Sequence, residues 1–77
     1  MEQLDPLVIG ANVLRLRKAQ GLKQRDIAGP LGVTLPAISR WENGTRIPNR
    51  WLLPRLARLL GVTVKELTSP LPPDLAQ

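Results

Sequence analysis

The chain has 77 residues, enough for one small domain with a modest core and too few for a deep catalytic cleft. It contains no Cys and no His, which excludes a disulfide framework, a thiolate site and the commonest general base and metal ligand. The net charge is +5, and residues 15–58 carry ten Lys or Arg against only Asp26 and Glu42, a balance that fits a polyanionic partner as well as an ordinary solvated surface. No run approaches the roughly 18 apolar residues of a membrane span. The opening residues MEQLDP lack the basic start of a signal peptide, so an intracellular domain is expected.

Asp5-Pro6 opens the first predicted helix, with Asp as the cap and Pro where its missing N–H is harmless. Ile9, Val13 and Leu16 recur at helical spacing and form its buried stripe. Arg15, Arg17 and Lys18 load its last part with positive charge, which the helix dipole favours. Gly21 stops the helix, and Leu22 folds back on the core. Lys23-Gln24 starts the second helix. Ala28 is small enough for a close helix crossing, and Gly32 supplies the left-handed stop. Pro30 removes one intrahelical hydrogen bond, at a cost of about 3 kcal/mol in an ideal helix interior. A kinked or shortened second helix ending in a 3₁₀ turn is therefore expected.

The third helix occupies 34–43, with Thr34 as N-cap, Pro36 in the tolerant first turn and Gly44 as the stop. Ile38 points inward and closes an apolar seam with Ile27, Leu31 and Val33. Leu35, Pro36, Ser39, Arg40 and Asn43 lie on other faces, which leaves the outer surface of this helix free. Two short helices joined by a tight Gly-containing turn make a helix-turn-helix. Trp41 is expected to pack on the helix pair. After the loop Thr45–Asn49, Asn49 caps a fourth helix over Arg50–Leu60, whose apolar face is Leu52, Leu53, Leu56, Ala57 and Leu60. Pro54 lies past the first turn of that helix, so either the helix kinks or Arg50–Leu53 forms a separate turn. Gly61 ends it. Thr63 and Glu66 have capping-box spacing and start a short fifth helix through Leu67. The domain is thus 1–67, all-α. Residues 68–77, with three prolines, form an extended or disordered tail. Trp51, Leu59 and this tail are candidates for a self-association surface, or for plain packing and exposure.

Four segments stand in order: LRLRKAQGLKQ (14–24), IAGPLGV (27–33), AISRWENG (37–44) and Pro48–Gly61. Together they resemble the phage repressor and Cro-like (Xre-type) helix-turn-helix DNA-binding family over Ile9–Leu67. Gly29-Pro30 and the apolar Leu35-Pro36 pair depart from the family pattern. The resemblance implies a compact five-helix bundle of the lambda-repressor-like type, with the helix-turn-helix formed by helices two and three. It implies a bacterial or phage transcriptional regulator, a repressor rather than an activator, in the cytoplasm and associated with the nucleoid. It also implies a homodimer that places two recognition helices on a palindromic operator.

By the same resemblance, helix 34–43 enters the major groove, and Leu35, Pro36 and Arg40 face the bases. An Arg can pair bidentately with guanine O6 and N7. The alternatives for Arg40 are a phosphate contact or a solvated charge. Leu35 and Pro36 would pack against thymine methyls. Gln24, Lys23, Thr34, Ser39, Asn43 and Arg46 are phosphate candidates, Gln24 beside the anion-attracting end of its helix. Gln24 also reads as surface polarity, Thr34 as a cap alone, and Arg46 as reaching either the backbone or the minor-groove edge. The Trp41 indole could donate to a phosphate. Glu42, if exposed, would repel phosphate. The resemblance implies that it pairs with Arg17.

A second reading is a protein-interaction module, such as the DNA-binding antitoxin of a toxin–antitoxin pair, using the tail for its partner. An enzyme is not expected. Asp26 and Glu42 are the acids near the centre, and a carboxylate engaged with Arg17 is a poor general base. No Gly-rich phosphate loop and no metal-ligand cluster is present, so neither metal nor cofactor is expected. The length leaves no space for a separate sensor domain.

Overall fold

The computed structural model describes residues 4–70. Within them the chain forms α1 (Pro6–Ala19), α2 (Gln24–Leu31), α3 (Leu35–Glu42), α4 (Leu53–Leu60) and α5 (Val64–Thr68), and no strand. The expectations for Leu71–Gln77, most of the proline-rich tail, lie outside the described residues.

Helix starts follow side-chain chemistry. The Asp5 carboxylate accepts from the Leu7 N–H at 2.9 Å, and the Thr34 hydroxyl accepts from the Ala37 N–H at 3.3 Å. Each partners a donor that has no acceptor inside its own helix. Thr63 and Glu66 cap one another. The Glu66 N–H donates to the Thr63 hydroxyl and the Thr63 N–H donates to the Glu66 carboxylate, both at 3.0 Å. The ends of α1, α2, α3 and α4 share one solution. The N–H of Leu22, Val33, Thr45 and Val62 reaches back five residues to the carbonyl of Arg17, Ala28, Arg40 and Ala57. In each case the intervening glycine has φ between 68° and 79°.

The Thr63 backbone N–H, and then the Thr63 hydroxyl, hold the Glu66 carboxyl below its ordinary pKa. A lowered folded-state pKa stabilises above the ordinary carboxylate value, and that contribution is lost as pH falls through the lower folded value. We therefore expect α5 to fray below about pH 4. The expected readout is carbon chemical shifts of Val64–Leu67 moving toward random coil. Shifts that stay constant down to pH 2, or that move equally in Glu66→Gln, would remove the basis of this expectation.

Two helices differ from their sequence-based description. α2 remains α-helical through Leu31, with no 3₁₀ turn. Pro30 sits one residue from the end of an eight-residue helix, is exposed, and its carbonyl accepts from Arg55 Nη2 at 3.0 Å. Its missing N–H leaves the carbonyl of Asp26, in the first turn, without its helical donor, and Asp26 is exposed, so water can reach that carbonyl. α4 begins at Leu53, and Arg50–Leu52 forms a separate turn. Pro54 then falls in the first turn, where it removes no intrahelical bond. Asn49 is accordingly not the cap of α4. Its backbone carbonyl accepts from the Leu52 and Leu53 N–H groups, and Leu52 occupies the cap position without a side-chain bond.

The core gathers Ile9 and Val13 of α1, Ile27, Ala28 and Leu31 of α2, Ile38 and Trp41 of α3, Leu52 with Leu53, Leu56, Ala57 and Leu60 of α4, and Leu67 of α5. Val33, Leu16 and Leu22 pack against it, half-buried. Among the glycines, the closest approach to another backbone is at Gly10, where α1 meets α3. A Cβ there would overlap the Trp41 carbonyl oxygen and stand 3.0 Å from that of Glu42. Ala28, the small residue of α2, is buried in the core. Asn12 is the buried polar side chain among the described residues. Its Nδ2 donates to the carbonyls of Leu67 and Ser69, each at 2.8 Å, and so ties α1 to the end of α5. No helix among the described residues is long and apolar enough to cross a membrane.

Candidate nucleic-acid interface

α3 is short, and its burial pattern decides what it offers. Ile38 and Trp41 are buried, so the seam and the helix-pair packing use one face. Leu35, Pro36, Ser39 and Arg40 are exposed, Leu35 to 49%. Spacing of four puts Leu35 in line with Ser39 and Pro36 in line with Arg40, so all four share the outward surface. Thr34 is exposed at the N-cap, with its hydroxyl engaged by Ala37.

Glu42, the acid of this helix, is withdrawn from that surface. Its side chain is 8% exposed and that of Arg17 is 13% exposed. Arg17 Nε donates to Glu42 Oε2 at 2.5 Å, and Nη2 donates to Oε1 at 3.1 Å. The hydrogen bond from the Glu42 side chain raises the Arg17 pKa above its ordinary value, and desolvation opposes it. Arg17 Nη1 also donates to the Leu22 carbonyl at 3.0 Å. One guanidinium thus links α1, the α1–α2 turn and α3.

Gln24, at the start of α2, joins the same network. Its Nε2 donates to Glu42 Oε1 at 3.0 Å and lies 3.3 Å from the Ser39 hydroxyl. Sequence reasoning placed Gln24 and Ser39 on phosphates but did not link them, because no local pattern reports a contact between residues fifteen apart. Beside Gln24, the Lys23 side chain is exposed, and its backbone N–H donates to Asp26 at 2.7 Å.

The far end of α3 carries the other polar groups. Asn43 caps the helix, and its Oδ1 accepts from the Thr45 N–H at 3.0 Å and from the Thr45 hydroxyl. Asn43 is exposed, and its amide nitrogen is a donor by chemistry. Arg40 and Arg46 are exposed and, with Asn49, edge a cleft of about 350 Å³ floored by Trp41, Ile47 and Leu52. Asn49 was not singled out for this place. Pro54 is the signal that could have found it, since a helix that must start at Leu53 frees Asn49 from capping.

The family described as helix-turn-helix domain matches residues 9–69. The chain belongs to this helix-turn-helix family. The helix-turn-helix domain is 36% identical over 63 residues to an uncharacterised HTH-type transcriptional regulator, y4dJ, of Sinorhizobium fredii, covering 82% of each chain. It is 38% identical over 55 residues to the HTH-type transcriptional activator BcrR of Enterococcus faecalis, covering 71% of the domain and 27% of BcrR. Its fold is similar to the crystal structure of the restriction-modification controller protein C.AhdI of Aeromonas hydrophila, with a TM-score of 0.73 and 28% identity, over 82% of this chain and 96% of that one. The helix-turn-helix domain is thus a five-helix, lambda-repressor-like module of a DNA-binding transcriptional regulator, with α2 and α3 as its helix-turn-helix.

Proposed function

We propose that the domain binds double-stranded DNA sequence-specifically as a cytoplasmic homodimer and represses transcription by occupying a palindromic operator. The observation that carries this reading is the outward face of α3, which holds Leu35, Pro36, Ser39 and Arg40 while the helix's acid is turned inward onto Arg17. Arg40 donates to guanine O6 and N7, and Leu35 and Pro36 pack on thymine methyls. Lys23, Gln24, Thr34, Ser39, Asn43 and Arg46 contact phosphates, which position the helix without reading sequence. The 73% exposed Trp51, in the turn before α4, supplies apolar surface for the dimer. No chemical step is part of this reading.

Selection from random duplexes at two salt concentrations, comparing wild type with Arg40→Ala, tests it. Wild type should enrich one palindrome with half-site centres about one helical turn apart. Arg40→Ala should lose about 1–3 kcal/mol of discrimination at one symmetric position. Loss of affinity with added salt should remain in both proteins, because phosphate contacts persist. Weak, sequence-indifferent binding by wild type would remove the recognition-helix role.

A further inference from the structure

We propose that the apolar start of α3 recognises the C5-methyl group of a pyrimidine rather than the identity of the base. The domain then binds 5-methylcytosine as it binds thymine, and its affinity responds to cytosine methylation of the DNA site. The proposal rests on the reading of α3 as the helix that faces the bases.

Leu35 and Pro36 are the first two residues of α3, and both are exposed. Neither side chain donates or accepts a hydrogen bond. In the major groove thymine and cytosine differ at two places. Thymine has the O4 acceptor where cytosine has the N4 donor, and thymine alone carries a methyl at C5. A surface of Leu35 and Pro36 is blind to the first difference and gains apolar contact from the second. 5-Methylcytosine keeps the cytosine donor and adds the methyl, so to this surface it is equivalent to thymine. The neighbouring polar groups are engaged. The Thr34 hydroxyl accepts from the Ala37 N–H at 3.3 Å, and Gln24 Nε2 is held by Glu42 Oε1 at 3.0 Å. The place of the methyl follows from α3 itself. Arg40 lies one helical turn, about 5.4 Å, past Pro36. Base pairs rise by about 3.4 Å. The methylated pyrimidine therefore stands one or two base pairs from the guanine that Arg40 takes.

The test uses the full chain and the duplex enriched by selection. The symmetric pyrimidine positions beside the Arg40 guanine are made in turn thymine, deoxyuridine, cytosine and 5-methylcytosine, each with its Watson–Crick partner. Fluorescence anisotropy at one salt concentration gives the four dissociation constants. Thymine and 5-methylcytosine should bind within about twofold of each other. Deoxyuridine and cytosine should both bind about 16-fold more weakly, about fourfold for the methyl lost from each half-site. The gap should fall below about threefold in Leu35→Ala/Pro36→Ala, whose exposed positions leave the core untouched. Tighter binding of thymine than of both deoxyuridine and 5-methylcytosine overturns the proposal. So does the absence of a methyl effect, or one that the double variant retains in full. Those results leave sequence-specific binding in place. If selection enriches no duplex, the reading of α3 fails and the proposal falls with it.

Discussion

Glu42→Ala should destabilise the domain by about 3 kcal/mol, near the lower end of the range for breaking a buried ion pair. The lower end applies because the partners keep 13% and 8% of their side-chain exposure. The alanine leaves the Arg17 guanidinium in place with one remaining protein acceptor, the Leu22 carbonyl, and deprives Gln24 of its acceptor at 3.0 Å. For a domain of this size the midpoint of thermal unfolding should fall by about 12–24 °C. Urea unfolding of Glu42→Ala, Arg17→Ala and the double variant separates the pair from its surroundings. The double variant should be little less stable than the worse single one. Full additivity would mean that the two side chains act independently, and a loss under about 0.5 kcal/mol would place the pair with ordinary surface bridges.

Gly10→Ala is expected to destabilise by about 3 kcal/mol, the upper end for overpacking. The obstacle is the backbone of α3 at Trp41 and Glu42, which cannot rotate away as a side chain would. α1 and α3 must separate, and the Arg17–Glu42 geometry is strained with them. The sign opposes intrinsic propensity, since alanine in a helix interior is ordinarily better than glycine by about 0.5–1 kcal/mol. Gly29→Ala supplies the control. Gly29 lies within α2 with nothing within 4 Å of its added Cβ, and stabilisation of about 0.4–1 kcal/mol is expected there. Chemical denaturation of the two variants side by side decides the matter. Equal effects of the same sign would show that the α1–α3 approach is looser than described.

What could be read from sequence was local. Asp5-Pro6, Thr34 and the Thr63–Glu66 pair announce helix starts because a cap acts within three residues. The four glycine stops announce themselves for the same reason. The stripes Ile9–Val13 and Leu53–Leu56–Ala57–Leu60 follow from period alone. The sequence leaves the start of α4 between two readings, because Asn49 is a good capping residue by type while Pro54 allows the separate turn that Arg50–Leu52 forms. Gly10 and Asn12 gave no periodic signal. Their roles depend on which helix crosses α1, and that is set by contacts far along the chain. For the candidate interface, the exposed face of α3 was legible, but the bond from Gln24 to Glu42 was not.

Asn12 has a consequence for how the domain is made. Its amide donors find the carbonyls of Leu67 and Ser69, more than fifty residues downstream, and Leu67 is fully buried in the shared core. A nascent chain emerges from its N-terminus at about 5–20 residues per second. α1 is therefore synthesised seconds before the groups that complete its buried face exist. Until α5 appears, burying Asn12 would strand a polar amide without partners, at a cost of about 1–3 kcal/mol. The first helix must wait in water, and the tie at Asn12 closes the fold from both ends at once.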